Sequence, residues 1–414
     1  MKKINHIKAL VAVVALASAS FGLNAQPYDP GATDKEIKIG NTNPYSGAFS
    51  AYGSYGKAQA AYFKKINDEG GINGRKINFI SMDDGFSPPK TLENARKLVE
   101  QEKVLFFFAT LGTAPNTAIH KYMNQKKVPH LFVQTGASKW GDPKNYPWTM
   151  GWQPNYISEG KVFAQAILDN QPKGKIALLY QNDDSGKDLL LGLEQGLGAR
   201  KDMLVARETY EGTDPTVDSQ IVKLKASGAD IFIHGSGPKF AAQSMKKIAE
   251  LGWKPTQYVW QVSSSIGAVL TPAGIDNTVG LITSAFSKDP SDPQWKNDKA
   301  ILEYEAWFKK YLPGADPTDS FYIQGYMNAQ TIEQVLKQAG NNLTRENIMK
   351  QAASINDFRL PLLLPGVNVQ TSATDFYPIE RMQLARFDGK AWVLFGKTYG
   401  DYRCLLYRYE YFLH

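Results

Sequence analysis

Residues 36–85 read EIKIGNTNPYSGAFSAYGSYGKAQAAYFKKINDEGGINGRKINFISMDDG. An apolar run, Ile37–Gly40, leads into a loop of small and polar residues. A helical pattern, AQAAYFKKINDEGG, follows, and a second apolar run, Ile77–Met82, closes the unit. Strand, helix and strand in this order form a parallel crossover unit. The same pattern recurs downstream. Val104–Ala109 leads into TLGTAPN, Leu131–Val133 into QTGASKWGDP and Ile176–Tyr180 into QNDDSG. Ile231–His234 leads into GSGP, and Tyr258–Trp260 into QVSSS. Alternating strands and helices predict an α/β fold with parallel sheets. The units are too many for one ordinary sheet, so the pattern predicts two doubly wound lobes.

Working outward, residues 139–155 (KWGDPKNYPWTMGWQPN) break the pattern and read as a crossover between lobes. Asp289–Asp298 is polar and proline-bearing and reads as a surface loop. Residues 1–25 carry Lys2, Lys3 and Lys8, an apolar stretch from Ala9 to Ala17, and small residues ending at Ala25. That order is an export signal, too short for a spanning helix, with cleavage expected near Ala25. The expected address is the periplasm. The tail from Asp401 departs from the composition before it and reads as an appendage.

The chain has 414 residues and a formal charge of +7. Removing the signal takes away three lysines and no acids, leaving +4. So weak a surplus, with no basic–aromatic patch, argues against a nucleic-acid partner. The only cysteine, Cys404, has no partner for an internal disulfide.

Ligands of open α/β sheets bind beyond the carboxyl ends of the strands. The loops there are Thr110–Asn116, Gln134–Ser138, Gln181–Gly186, Gly235–Pro238 and Gln261–Ser265, all rich in small residues. Such loops expose N–H groups at helix starts, which suit an anion. In Leu111–Asn116, Pro115 fits a first helical turn. Thr113 either caps its own helix or, with the Ala114 N–H, clamps a carboxylate; from the residues alone the cap is the simpler reading. Thr135, Gly136 and Ala137 offer a second face for the same anion, or an ordinary turn. Tyr52 lies after the first strand, where it covers a ligand or sits on the surface. Among the aromatic residues, Trp152 and Tyr156 beside the crossover are the best candidates for a pocket wall; any one of them is as readily core.

Enzyme signatures are missing: no phosphate-binding G-x-x-x-x-G-K-[ST] loop, no H-E-x-x-H and no G-x-S-x-G. His120, His130 and His234 lack metal-ligand spacing, and Asp83–Asp84 reads as a solvated turn. No metal and no cofactor are implied, and the chain is not expected to be an enzyme.

In order and spacing, P-Y-S-G with A-Y-G, then N-D-E-G-G-I-N-G-R-K-I, D-D, the Gly-Thr loop and the Gly-Ala-Ser loop resemble the leucine/isoleucine/valine-binding family of periplasmic receptors. The resemblance runs from residue 36 to about residue 400. It implies a type I periplasmic-binding-protein fold, two lobes joined by a three-crossover hinge. The first lobe would be 36–150 with 285–360, and the second 151–284 with 361–400. It implies a monomer that closes on a small molecule and delivers it to an ABC permease with its ATPase subunits. It favours the clamp reading of Thr113. Two positions depart from the family. The loop that carries an acid for the ligand's α-ammonium reads Gln261-Val262-Ser263-Ser264-Ser265, and Ser185 stands where a tyrosine is usual. Residues 135–156 are similar to the branch that binds aromatic acids. The expected ligand is therefore a carboxylate, an aromatic acid, touched by Ser185, Val262 and Ser263 from the second lobe. A branched-chain or other amino acid, or a sensory receptor for acids or amides, is the alternative.

Overall fold

The computed structural model describes residues 28–400; the expected export signal and the tail from Asp401 lie outside the described residues. One sheet holds β1 (Glu36–Asn43), β2 (Lys76–Asp83), β3 (Phe106–Phe108), β4 (His130–Val133) and β5 (Thr149–Gly151), in the order β2-β1-β3-β4-β5 and parallel throughout. The other holds β6 (Ile176–Gln181), β7 (Leu204–Tyr210), β8 (Ile231–Gly235), β9 (Thr256–Val259), β10 (Ile282–Ala285), β11 (Met382–Phe387) and β12 (Trp392–Tyr399), in the order β12-β11-β10-β9-β8-β6-β7. The central strands β3, β4 and β8 are buried along their whole length, which is why they read as unbroken apolar runs.

Helices α1 (Gly53–Asp68), α2 (Pro88–Arg96) and α3 (Thr113–Lys126) connect the first sheet. Helices α4 (Tyr156–Asn170), α5 (Asp184–Leu197), α6 (Asp218–Ala226), α7 (Pro238–Glu250) and the single turn α8 (Thr271–Ala273) serve the second. Helices α9 (Lys299–Tyr311), α10 (Phe321–Ala339) and α11 (Arg345–Ala352) return to the first lobe, where α10 packs along α1. The starts of α4 and α5 are set by side chains. Asn155 accepts the Ser158 N–H at 2.8 Å, and Asp183 accepts from the N–H groups of Ser185 and Gly186.

Two local expectations change. The stretch 139–155 is not all crossover. Thr149–Gly151 forms β5, paired in parallel with β4, and only the residues after it lead to the second lobe. Three residues between prolines and tryptophans carry no readable alternation. The second sheet also ends in two antiparallel strands, β11 and β12, which extend it beyond β10 and are joined to each other without a helix.

The chain crosses between the lobes after β5, after β10 and before β11. Two of these crossings run antiparallel. The Lys288 N–H donates to the Leu362 carbonyl at 2.8 Å, and the Leu364 N–H to the Phe286 carbonyl at 3.0 Å. The lobes are drawn together. The Phe49 ring, on the loop after β1, stacks on Phe86 at 4.0 Å and meets Phe240 of α7 at 5.9 Å. Asp188 of α5 accepts from the Ser138 N–H at 2.6 Å, and Lys139 pairs with Asp184 at 2.9 Å. Ser265 donates to Asp319, at the start of α10, at 2.9 Å. This is a closed arrangement.

Candidate functional site

Between the lobes, where loops beyond the carboxyl ends of both sheets face each other, lies a cavity. The first lobe supplies Tyr52, Tyr55, Phe86, Leu111, Gly112, Thr113, Gln134 and Thr135. The crossover supplies Gln153 and Tyr156, and the second lobe supplies Gln181, Ser185, Trp260 and Val262. None of these side chains is charged.

One end of the cavity is built from α3. Its cap is Gly112, which has no side chain to cap with and sits at φ +93°. A Cβ there would lie 2.4 Å from the Phe86 ring, so glycine is required twice over, by conformation and by space. Thr113 therefore does not cap its own helix. It is the first helical residue, and its hydroxyl is hydrogen-bonded to that of Thr135. The N–H groups of Thr113 and Ala114 stand in the first turn, where no intrahelical acceptor exists, and Pro115 has none to offer. Thr135 Oγ1 lies 3.5 Å from the Tyr156 hydroxyl. The Tyr156 ring meets Trp260 at 4.9 Å. It reaches this position because Gly136 is bare: a Cβ there would lie 2.9 Å from the ring. Burial pushes the phenols of Tyr52 and Tyr156 well above their usual range, so both remain protonated donors.

Of the predicted residues, Tyr52, Thr113, Thr135, Tyr156, Ser185 and Val262 meet at this cavity. Five do not line it. Trp152 is fully buried in the core, its indole N–H donating to Thr331 at 3.0 Å and its ring edge-on to Phe286. Gly136 stands behind Tyr156, and Ala137 packs with Val133 and Trp140. Ala114 contributes only backbone, and the Ser263 hydroxyl is turned to the Ser236 carbonyl at 2.6 Å. Ser185 lines the wall, yet its hydroxyl is engaged by Asp183. Sequence reasoning missed Tyr55, Phe86 and Gln153; Gln134 and Gln181 lie in loops it named without being chosen, and Trp260 was one aromatic candidate among several. For Phe86 a signal was present. The turn before it is not solvated as expected: Asp84 is buried, accepting from the Phe86 N–H at 2.8 Å and from Thr91 at 2.9 Å. Asp83 is held down to about 2. Its burial works against this, but the Ser46 hydroxyl and the N–H groups of Gly85 and Tyr45 outweigh it.

The three described histidines are held by packing and hydrogen bonds within the fold. His130 bonds Thr110 at 2.6 Å and Asn116 at 2.8 Å, His234 bonds Ser244 at 2.7 Å, and His120 stacks on Tyr146 at 3.8 Å. Burial lowers their pKa values to about 3, 4 and 4. No group of three metal-ligating side chains occurs among the described residues.

Residues 36–391 match the model of the periplasmic binding protein family. The chain belongs to that family. This periplasmic binding protein is similar to Leu/Ile/Val-binding protein homolog 1 of Brucella abortus, with 25% identity over 346 residues, 82% of this chain and 86% of the relative. In fold it is similar to a branched-chain amino acid ABC transporter protein of Thermus thermophilus with bound valine. That likeness has TM-score 0.80 and 16% identity, over 90% of this chain and 99% of that one. It is also similar to a solute-binding protein of an ABC transporter from R. palustris in complex with 4-hydroxybenzoate. There the TM-score is 0.74 and the identity 16%, over 89% and 98% of the two chains. The family binds solutes rather than transforming them, so this periplasmic binding protein is a receptor and not an enzyme. Among its described residues no helix is long and apolar enough to cross a membrane.

The wall formed by Trp260 and Val262 rests on a buried acid. Glu159, in the first turn of α4, accepts from the Gln261 N–H and from the Ser284 hydroxyl, both at 2.6 Å. Burial lifts its carboxyl to about 7, against the pull of those two donors. The folded chain thus holds a proton that the unfolded chain releases near 4.5. Stability contributed by this group is present at low pH and is lost as pH rises from about 4.5 to about 7. The slope is at most about 1.4 kcal/mol per pH unit. Melting curves of Glu159→Gln should be flatter across that window than those of the unaltered protein. Parallel curves would mean that Glu159 does not titrate there.

Proposed function

We propose that this chain is an exported periplasmic receptor of an ABC importer that closes over a small aromatic carboxylate lacking an α-ammonium. The observation that carries the reading is the chemistry of the cavity wall. At one end are two N–H groups of the α3 start and the bonded hydroxyl pair of Thr113 and Thr135, which has one O–H left to give, a set of donors suited to a carboxylate. Around the rest stand the rings of Tyr52, Tyr55, Phe86, Tyr156 and Trp260. No acid faces the space, so an ammonium there has no ionic partner. The relatives named for leucine, isoleucine and valine favour an amino acid, and the uncharged wall opposes it. The first lobe holds the acid and the second docks over it; only a ligand with higher affinity for the closed form drives that change. The test is equilibrium titration of ligand-stripped protein with 3-phenylpropanoate, phenylalanine and phenethylamine. These carry the acid alone, both groups, and the ammonium alone. The expected order of affinity is the order given. Binding of phenethylamine but not of 3-phenylpropanoate would reject the reading.

A further inference from the structure

We infer that the side-chain amide of Gln153 selects among acids, and that the preferred ligand carries a second hydrogen-bond acceptor, apart from its carboxylate, which takes a Gln153 N–H. This rests on the carboxylate reading above. Three glutamines line the cavity. Both polar atoms of Gln181 have a partner, the oxygen accepting from the Tyr210 hydroxyl at 2.9 Å and the nitrogen donating to Asp183 at 2.7 Å. Both polar atoms of Gln134 have one as well, the oxygen accepting from Asn328 at 2.6 Å and the nitrogen donating to Gln153 Oε1 at 3.0 Å. Gln153 ends that chain. It is 4% exposed, and its Nε2 has no acceptor. Among the described residues lining the cavity, no other buried side-chain nitrogen or oxygen is left without a partner.

The orientation of this donor is fixed from outside the cavity. Asn328 Nδ2 also donates to the main-chain carbonyl of Phe132 at 3.2 Å. A carbonyl only accepts, so Asn328 must present its nitrogen on this side. That turns the Gln134 oxygen toward Asn328 and the Gln134 nitrogen toward Gln153. Gln153 must then offer its oxygen to Gln134 and leave its nitrogen free. Swapping either glutamine amide would set two oxygens or two nitrogens against each other. A buried donor without an acceptor bears its full desolvation cost, and a ligand that supplies the acceptor recovers it. The carboxylate is not that acceptor. At the α3 end it meets the Thr113 and Ala114 N–H groups and one free hydroxyl, the other O–H being spent on the Thr113–Thr135 bond, so that end serves the carboxylate without the Gln153 amide. A ring hydroxyl, ether or carbonyl has the chemistry required.

The experiment compares acids of equal shape with and without the acceptor: 3-phenylpropanoates carrying a 3- or 4-hydroxyl against those carrying a 3- or 4-methyl, titrated into the ligand-stripped receptor and its Gln153→Met variant. At least one hydroxy acid should bind about tenfold more tightly than its methyl partner, and in Gln153→Met that ratio should fall to about threefold or less. Three results overturn the inference while leaving the carboxylate reading intact. Both hydroxy acids bind no better than their methyl partners. The preference survives in Gln153→Met. Or the variant weakens hydroxy and methyl acids by the same factor, which would put the amide on the carboxylate. If no acid of the set binds, both the carboxylate reading and this inference fail. If Gln153→Met does not fold, the hydroxy–methyl comparison in the unaltered receptor decides alone.

Discussion

3-Phenylpropanoate is expected to bind at least about 100-fold more tightly than phenylalanine, because bringing an unpaired ammonium out of water costs several kcal/mol and each 1.4 kcal/mol is tenfold. The two molecules share the carboxylate, the ring and the spacing between them, so the difference reports the ammonium alone. No acid lines the cavity. Asp183 accepts from the Ser185 and Gly186 N–H groups at the start of α5 and from the Gln181 amide. Asp184 pairs with Lys139 across the lobes at 2.9 Å. Glu159 lies behind the Trp260–Val262 wall, holding the Gln261 N–H. Val262→Glu places a carboxylate on the cavity wall and should shift preference toward phenylalanine. Tight binding of leucine or phenylalanine by the unaltered protein would falsify this, and Asp183 would then be the acid that turns inward.

Thr113→Val is expected to weaken acid binding by roughly 10- to 100-fold, since a hydrogen bond to a charged group contributes about 1.5–3 kcal/mol. Valine keeps the shape and the backbone N–H and removes one donor. The stability of the variant should change less. Gly112 rather than Thr113 occupies the cap position, and the Thr135 hydroxyl that loses its Thr113 partner still has Tyr156 at 3.5 Å. Calorimetric titration and thermal melting of the same variant separate the two effects. Unchanged affinity with lowered stability would show that the Thr113–Thr135 pair only braces the loop, and the carboxylate would have to be placed elsewhere.

The expectations that fared best concern features that short stretches of chain determine. Strands buried on both faces must be apolar along their length, so Ile231–His234 and Leu131–Val133 announce themselves. A loop that exposes N–H groups at a helix start must be built from small residues, so Leu111–Asn116 and Gln134–Ser138 were legible as loops beyond strand ends, and both reach the cavity wall. Pro115 and Gly112 mark the α3 start by what they lack, an N–H in one and a Cβ in the other.

The cavity wall was legible only in part, because most of it is made by meetings between residues far apart in the chain. Trp152 and Tyr156 are four positions apart and look equally suited to a pocket. One is drawn into the core by Thr331 and Phe286, the other turned to the cavity past Gly136 and against Trp260. Nothing local distinguishes them, since an aromatic side chain buries about as well in a core as against a ligand. The orphan nitrogen of Gln153 is further from reach still. It exists only because Phe132, Gln134 and Asn328, from one strand end and a helix, fix a single direction of hydrogen bonding. The sequence by itself determined the kind of fold, the family and the end of the sheets where a ligand belongs, since burial and backbone conformation constrain residues locally. Only the tertiary structure decided which side chains face the cavity and with which polar atom, because that depends on partners the chain brings together by folding.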